Sequence, residues 1–269
     1  MSQQTSASVG TRPGQAPTQR TVAVLTGGGD RPYALGLASC LIAEGLQFDF
    51  IGSDELESPD LDRSPQVRVL NLRGDVSNKA SFLTKVIRVL AYYARLLKYA
   101  AVAEPTVFHI LWNDRIELFD RTLLQLYYRL CGKRIVRTIH NVNVRKRDGQ
   151  DNWLNRWTLE IQYRLADHLF VHTKQMESEL IKDFGVPSRK ISVIPFGIND
   201  TIPKTAMTRE EARERLGLAR GTRTVLFFGN IAPYKGVEYL VEAFASVSAA
   251  IPNSTLIIAV RVKNAEDYW

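Results

Sequence analysis

The stretch Thr21–Ala38, TVAVLTGGGDRPYALGLA, runs from aliphatic and β-branched residues through three consecutive glycines into a helical apolar pattern. A strand that turns directly into a helix opens a β-α-β unit. The chain then repeats this grammar. Strand-like runs TVAVLT, LQFDFI, VRVLNL, TVFHIL, RIVRTI, HLFVHT and ISVIP alternate with helix-length segments at Tyr33–Ala43, Phe82–Ala103, Phe119–Leu130, Trp153–Leu165 and Gln175–Phe184. Such alternation predicts parallel strands joined by helical crossovers, hence a doubly wound α/β sheet.

That layer ends near Pro195. The following PFGINDTIPKTAMT, with two prolines and a glycine, reads as a linker. Thr208 with Glu211 three residues on forms a capping box, and a new strand–turn–helix–strand begins at Thr222. The expected organisation is a flexible polar tail over 1–20, a first Rossmann-like domain over 21–200 and a second, incomplete unit over 201–269. The tail lacks the apolar core of a secretory signal, and no run of about 18 uncharged apolar residues predicts a spanning helix.

A chain of 269 residues that is 45% hydrophobic is long enough to bury one large or two ordinary cores. Cys40 and Cys131 fall in separate apolar helical patterns without ligand-like spacing, which predicts buried free thiols and a reducing compartment. The net charge of +7 is uneven. Arg121, Arg129, Lys133, Arg134, Arg137, Arg145, Lys146 and Arg147 face only Asp148, whereas Asp54, Glu55, Glu57, Asp60 and Asp62 form an acidic loop. A basic surface of this kind fits anionic headgroups or a phosphorylated acceptor, with an ordinary solvated face as the plain alternative. Nucleic acid is disfavoured, because the basic residues are not interleaved with stacking aromatics. The segment Phe82–Ala103 carries Lys85, Arg88, Arg95 and Lys98 and no acidic residue, which fits either an interfacial helix or one packed on the sheet.

Gly27, Gly28 and Gly29 fall at the carboxyl end of the first strand, where open α/β sheets bind ligands and glycines let the backbone approach them. A tight turn that needs no ligand explains them equally well. His140 leaves the sheet edge into the polar, basic TIHNVNVRKRDGQD, while His109 lies within its strand and reads as a core histidine. No second ligand stands at metal spacing from either, so no metal site is expected. Farther on, VLFFGNIAPYKGVEYLVEAF (Val225–Phe244) reads as a phosphate cradle. VLFF is a buried-strand run, Gly229 opens the turn, and Lys235 and Gly236 begin a helix that buries Val237, Leu240, Val241 and Phe244. Free N–H groups and the positive end of the helix dipole favour an anion there, and the lysine adds a full charge. The spacing is not that of a Walker loop.

Taken in order, FHILWNDR, RTIHNVN, DHLFVHT, VIPFGIND, LFFGNIAPYKGVEYLVEAF and LIIAVRVKN resemble family 4 glycosyltransferases of the two-Rossmann-domain, GT-B type, from about Thr21 to the last residue. The resemblance implies a bacterial enzyme of the cytoplasmic side that moves a hexose from a nucleotide-diphosphate sugar, with retention, to a glycan or lipid-linked acceptor. It implies no cofactor and no obligate metal, and it allows peripheral contact with an anionic membrane. Lys235 matches the lysine that neutralises the donor pyrophosphate, Gly229 the glycine that approaches it, and Asn230 and Gly236 share that turn. A cation placed at the leaving phosphate lowers the barrier, because charge develops there in the transition state. His140 takes the catalytic position facing the transferred sugar, and Gly27–Gly29 the cleft loop. Asn141 and Arg145 are placed on the acceptor side by location alone.

The chain departs from the family pattern in three places. The turn offers Asn230 and Ala232 where many members have an arginine, and Val260 stands where a glycine is expected. The Glu-x7-Glu segment would lie beyond Trp269, and the second domain has about 65 residues where a Rossmann half needs well over 100. A truncated, impaired enzyme is therefore expected. The alternatives are a non-catalytic module binding anionic surfaces or membranes and, remotely, a sugar-phosphate kinase, since TGGGD resembles the opening of phosphofructokinases.

Overall fold

The structure, a computed structural model, describes residues 21–56, 58–74, 81–197 and 205–262. The expected tail, Glu57 and residues 198–204 of the expected linker lie outside the described residues. The chain divides into two compact units, one of Met1–Val142 with Trp153–Thr201, the other of Asn143–Asn152 with Ile202–Trp269.

Along the chain run β1 (Val22–Leu25), α1 (Arg31–Ala43), β2 (Phe48–Gly52), α2 (Pro59–Asp62), β3 (Val67–Asn71), α3 (Phe82–Val102) and β4 (Val107–Ile110). Then follow α4 (Glu117–Arg121), α5 (Leu123–Leu130), β5 (Arg134–Ile139), α6 (Val144–Arg147), α7 (Trp153–Leu165), β6 (His168–Val171), α8 (Lys174–Phe184) and β7 (Ile191–Val193). The remaining elements are α9 (Arg209–Arg215), β8 (Arg223–Ile231), α10 (Val237–Ala250) and β9 (Ser254–Val262).

In the first unit seven parallel strands form one sheet in the order β3-β2-β1-β4-β5-β6-β7. β1, third in that order, is buried on both faces, and its residues alternate between the two layers. Ala23 and Leu25 enter the layer built with Tyr92, Leu96 and Tyr99 of α3, Tyr128 of α5, Tyr163 of α7 and Leu180 of α8. Val24 enters the opposite layer, with Ala34 and Ala38 of α1 and Phe48 and Phe50 of β2. Helices on both faces of a parallel sheet are the predicted doubly wound arrangement. Between β2 and β3 the fully buried Asp49 accepts from Arg68 at 2.8 and 2.5 Å and from the Tyr99 hydroxyl at 2.6 Å. Asp30, Ser81 and Thr173 cap α1, α3 and α8 through their side chains.

Four expectations are corrected. The segment Phe119–Leu130 is two helices, broken at Thr122, whose hydroxyl donates to Leu118 O at 2.5 Å. The cysteines are free but not buried: Cys40 is exposed and Cys131 half-buried, because each falls off the sheet-facing side of its segment. The basic surface is smaller than charge counting implies, since Arg121, Lys133 and Arg137 are buried. Lys133 donates to Ala103 O and Pro105 O at 2.6 and 3.0 Å, and Arg121 to Asn155 Oδ1 at 2.9 Å. Finally, VLFF is not a buried strand. Val225, Leu226 and Phe228 are 43, 60 and 83% exposed, because among the described residues β8 pairs only with β9 and α10 covers part of that two-stranded sheet. The same limited cover leaves Val241 exposed and Leu240 and Phe244 half-buried, while Val237 is buried as expected.

In the second unit β8 and β9 are parallel and joined through α10. The capping box at the start of α9 is present: Glu211 N donates to Thr208 Oγ1 at 3.2 Å and Thr208 N to Glu211 Oε2 at 2.7 Å.

Candidate functional site

The strand order reverses direction between β1 and β4, and at such a switch point the loops leaving the two carboxyl ends part and open a crevice. Gly27–Gly29 leave β1 there, and Trp112, Asn113 and Asp114 leave β4. Gly27 and Gly29 are demanded by their neighbours and Gly28 by its backbone conformation. A Cβ on Gly27 would stand 2.2 Å from the backbone oxygen of Trp112, one on Gly28 2.0 Å from Arg73 Nη1, and one on Gly29 2.0 Å from the Trp112 indole. Gly27 and Gly28 also hold φ of 61° and 72°, in the left-handed region that favours glycine. Arg73 Nη1 donates to Gly27 O at 2.9 Å, so the loop is packed and pinned by its own chain.

His140 follows the last residue of β5 and meets this loop through Trp112. The two rings stack at 4.2 Å between centroids with 3° between planes. Tyr33, in the first turn of α1, presents its edge to His140 at 4.7 Å, and Phe196 lies 6.2 Å away. His172, just past β6, contacts His140 Nδ1 through its Nε2 at 3.1 Å, and its Nδ1 contacts Ile194 O at 3.0 Å. His140 Nε2 is buried and, among the described residues, has no hydrogen-bond partner. Burial, together with the neighbouring His172 and His109, pushes His140 down to about 4, so its ring is neutral near pH 7. His109 is half-buried within β4: it shares a 2.9 Å hydrogen bond with Thr138 Oγ1, and burial lowers it to about 4.

Beneath the crevice lies a buried polar network. Arg137 donates to Asn113 Oδ1 at 2.6 Å, and Asn113 donates to Gln162 Oε1 at 3.0 Å. Asp114 accepts from the Tyr92 hydroxyl at 2.9 Å and stands 3.6 Å from Arg73 Nη1. Asp120 accepts from the Tyr93 hydroxyl at 2.7 Å. Burial, with the charge of Asp114, pushes Asp120 up to about 7, and burial lowers Arg137 to about 10.

In the second unit the turn after β8 is a 3-10 turn, Pro233–Lys235, closed by Lys235 N donating to Ala232 O at 2.8 Å. Gly229 lies inside β8, opposite Val260 of β9, and does not open that turn. Val260 is 36% exposed, and the strand exit that follows β9 lies outside the described residues. Gly236 caps α10 at φ 62° and makes no side-chain cap hydrogen bond. That end of the helix therefore offers backbone donors to an anion, and the exposed Lys235 stands one residue before it. Lys235 Nζ lies 5.2 Å from the Tyr234 ring centroid, and the Arg147 guanidinium 4.0 Å from it, so two cations share one exposed aromatic. A groove lined by Arg209, Arg213, Arg220 and Arg223 lies at the other end of β8 and includes none of the candidate residues.

The structure thus gathers Gly27–Gly29 and His140 around Trp112, and Asn230, Lys235 and Gly236 at one end of β8. Asn141 is exposed beside His140. Arg145 is on α6, within the second unit. Tyr33, Arg73, Trp112 and Phe196 escaped the reading of the sequence, and His172 reads there only as one of the histidines at strand ends, since only the strand order brings them together. Among the described residues no group of three or more His, Cys, Asp or Glu is placed to hold a metal ion. No helix among them is long and apolar enough to cross a membrane.

Comparison with known proteins gives a consistent result. The sequence pattern of the family described as Glycosyltransferase Family 4 matches residues 27–201, well over half of the chain. It begins inside the glycine turn and assigns that turn to this family rather than to sugar-phosphate kinases. Mannosylfructose-phosphate synthase of Agrobacterium fabrum is 30% identical over 109 residues, 40% of this chain and 24% of that one. D-inositol 3-phosphate glycosyltransferase of Thermobispora bispora is 35% identical over 97 residues, 35% of this chain and 22% of that one. The chain therefore spans about a quarter of the length of these relatives. Among solved structures, sucrose-phosphate synthase from Thermosynechococcus elongatus aligns with TM-score 0.61 at 18% identity, over 89% of this chain and 62% of the other. Anabaena Alr3699/HepE in complex with UDP and glucose aligns with TM-score 0.59 at 15% identity, over 93% and 63%. These two likenesses show the GT-B fold.

Proposed function

The chain belongs to glycosyltransferase family 4, and we propose that it serves transfer of a hexose, with retention, from a nucleotide-diphosphate sugar to a glycan or lipid-linked acceptor. Lys235 and the N–H groups that follow Gly236 take the donor pyrophosphate. Gly229 and Asn230 belong to the same strand end, His140 faces the transferred sugar, and Asn141 and Arg145 serve the acceptor. No metal or cofactor is required, because cation and helix dipole supply the positive charge that the leaving phosphate needs. The observation that carries this reading is the glycine-capped end of α10, whose cap brings no side chain to its first N–H groups, directly after an exposed lysine. That the solved relative Alr3699/HepE was obtained with UDP and glucose supports the choice of donor class. The test is calorimetric titration of nucleotide diphosphates and nucleotide sugars into the chain and into Lys235→Ala. We expect saturable binding weakened about tenfold or more by the substitution; binding indifferent to it removes the assigned site.

A second reading concerns α3. Phe82, Leu83, Ile87 and Leu90 are 82, 67, 57 and 60% exposed on its first turns, and Lys98 is exposed on a helix with no acidic residue. Such a face fits peripheral contact with an anionic membrane. Co-sedimentation with vesicles containing phosphatidylglycerol tests it, and absence of salt-sensitive binding removes it.

A further inference from the structure

We propose that His172 is a positioning residue for His140: it fixes the tautomer of that ring, so that His140 Nε2 is a hydrogen-bond acceptor and the group received there is a hydroxyl that donates. A backbone carbonyl has no hydrogen to give, so in the 3.0 Å contact between His172 Nδ1 and Ile194 O the ring is the donor. A neutral His172 then has a bare Nε2, and across 3.1 Å that atom accepts from His140 Nδ1. With its hydrogen on Nδ1, a neutral His140 keeps only a lone pair on Nε2. That atom is buried and, among the described residues, unpartnered.

Packing restrains the orientation of the ring. Trp112 stacks on it at 4.2 Å and 3°, and the edge of Tyr33 abuts it at 4.7 Å and 89°. The direction in which the lone pair points is therefore set by packing, and its character by His172. A buried acceptor without a donor leaves unmade a hydrogen bond that water would have supplied, and an arriving donor recovers it. Sugar hydroxyls are such donors, and the aromatic walls suit the C–H faces that flank them. Ammonium groups also donate, but burial in an apolar, aromatic setting penalises a full charge. Naming a sugar hydroxyl rests on the proposed function above; the tautomer does not.

The test uses the full chain labelled with 15N-histidine, whose four histidines are assigned by single substitution and read by long-range 1H–15N correlation at pH 8. The wild type is expected to show His140 with hydrogen on Nδ1 and His172 likewise. His172→Phe keeps a ring of similar size and removes the acceptor, so His140 should move toward the Nε2–H form. His172→Gln, whose amide oxygen can accept from Nδ1–H, should restore the wild-type pattern. Hydrogen on His140 Nε2 in the wild type, or a His140 signature unchanged in His172→Phe, overturns the relay.

The second arm uses nucleotide sugars in which one hydroxyl at a time is replaced by fluorine, which accepts but does not donate. At one position the wild type should bind the fluoro analogue roughly tenfold more weakly than the parent, about the loss of one hydrogen bond, and His172→Phe should erase that difference. Equal discrimination by both proteins overturns the hydroxyl assignment. A chain that binds no nucleotide sugar while showing the expected tautomer fails on the proposed function, and the relay between the rings stands.

Discussion

Gly27→Ala and Gly45→Ala form a matched pair that tests whether the glycine turn is packed against its own chain. Both residues are left-handed, with φ of 61° and 75°. Alanine in that region costs about 1–2 kcal/mol, reduced by about 0.4–1 kcal/mol because it also restricts the unfolded chain. Among the described residues nothing lies within 4 Å of a Cβ at Gly45, so Gly45→Ala should lose about 1 kcal/mol. At Gly27 the new atom would stand 2.2 Å from the backbone oxygen of Trp112, where no rotamer relieves it. Overpacking of this sort adds about 1–3 kcal/mol, for a total of about 2–4 kcal/mol. Urea unfolding followed by tryptophan fluorescence reads the difference. With a slope of about 2 kcal/mol/M, the midpoint should fall by about 1–2 M for Gly27→Ala and about 0.5 M for Gly45→Ala, at unchanged slope. Gly29→Ala extends the pair, because its Cβ would meet the indole of Trp112 at 2.0 Å, and Trp112→Leu should relieve that clash. Equal losses at positions 27 and 45 would refute the packing argument and leave the triplet as an open loop.

Two further outcomes follow from buried titratable groups of opposite sign. Asp120 is raised to about 7 in the folded chain against an unfolded value of 3.8, so the folded state holds the extra proton and stability is lost as pH rises from about 4 to 7. Asp120→Asn, whose amide oxygen still accepts from Tyr93, should gain about 3 kcal/mol on the wild type between pH 5 and 8 in urea midpoints; a pH-independent difference contradicts this. His109 is lowered to about 4 from 6.5, so the unfolded chain holds the extra proton and stability is lost as pH falls from about 6.5 to 4. His109→Gln should flatten that acid limb by about 3 kcal/mol, which the same titration checks.

The fold was legible because its signal is local. Each strand announces itself by an apolar run, and the alternation with helices specifies parallel crossovers without knowledge of any contact. The capping box at Thr208 and Glu211 was equally readable, since both partners lie within one turn. Burial was less readable. Arg137 carries a charge in a β5 pattern whose neighbours Ile135 and Ile139 are core, and only the structure shows Asn113 receiving it. The exposure of Val225, Leu226 and Phe228 was misread for a related reason: an apolar run implies cover, but cover is a property of neighbouring elements. Around His140 the limit was topological. Tyr33, Trp112, His172 and Phe196 come from four separate stretches, and no spacing rule joins them before the order β1-β4-β5-β6 is known.

That order also explains why the turn after β4 matters more than its length implies. Three consecutive side chains, all from the FHILWNDR stretch, leave it in three directions. Trp112 goes to Gly29 and the face of His140. Asn113 bridges Arg137 of β5 and Gln162 of α7. Asp114 meets Tyr92 of α3 and Arg73, and Arg73 returns to the carbonyl of Gly27. The glycine loop and His140 are thus tied to the same buried base, in which Asn113 and Asp114 are neighbours along the backbone. Contacts that share a backbone turn cannot relax independently, so substitutions at Asn113 and Gly27 should couple, since a Cβ at Gly27 would stand 2.2 Å from the backbone oxygen of Trp112 and 3.1 Å from that of Asn113. A site assembled this way owes its geometry to the polar network below the sheet end as much as to the residues that line it.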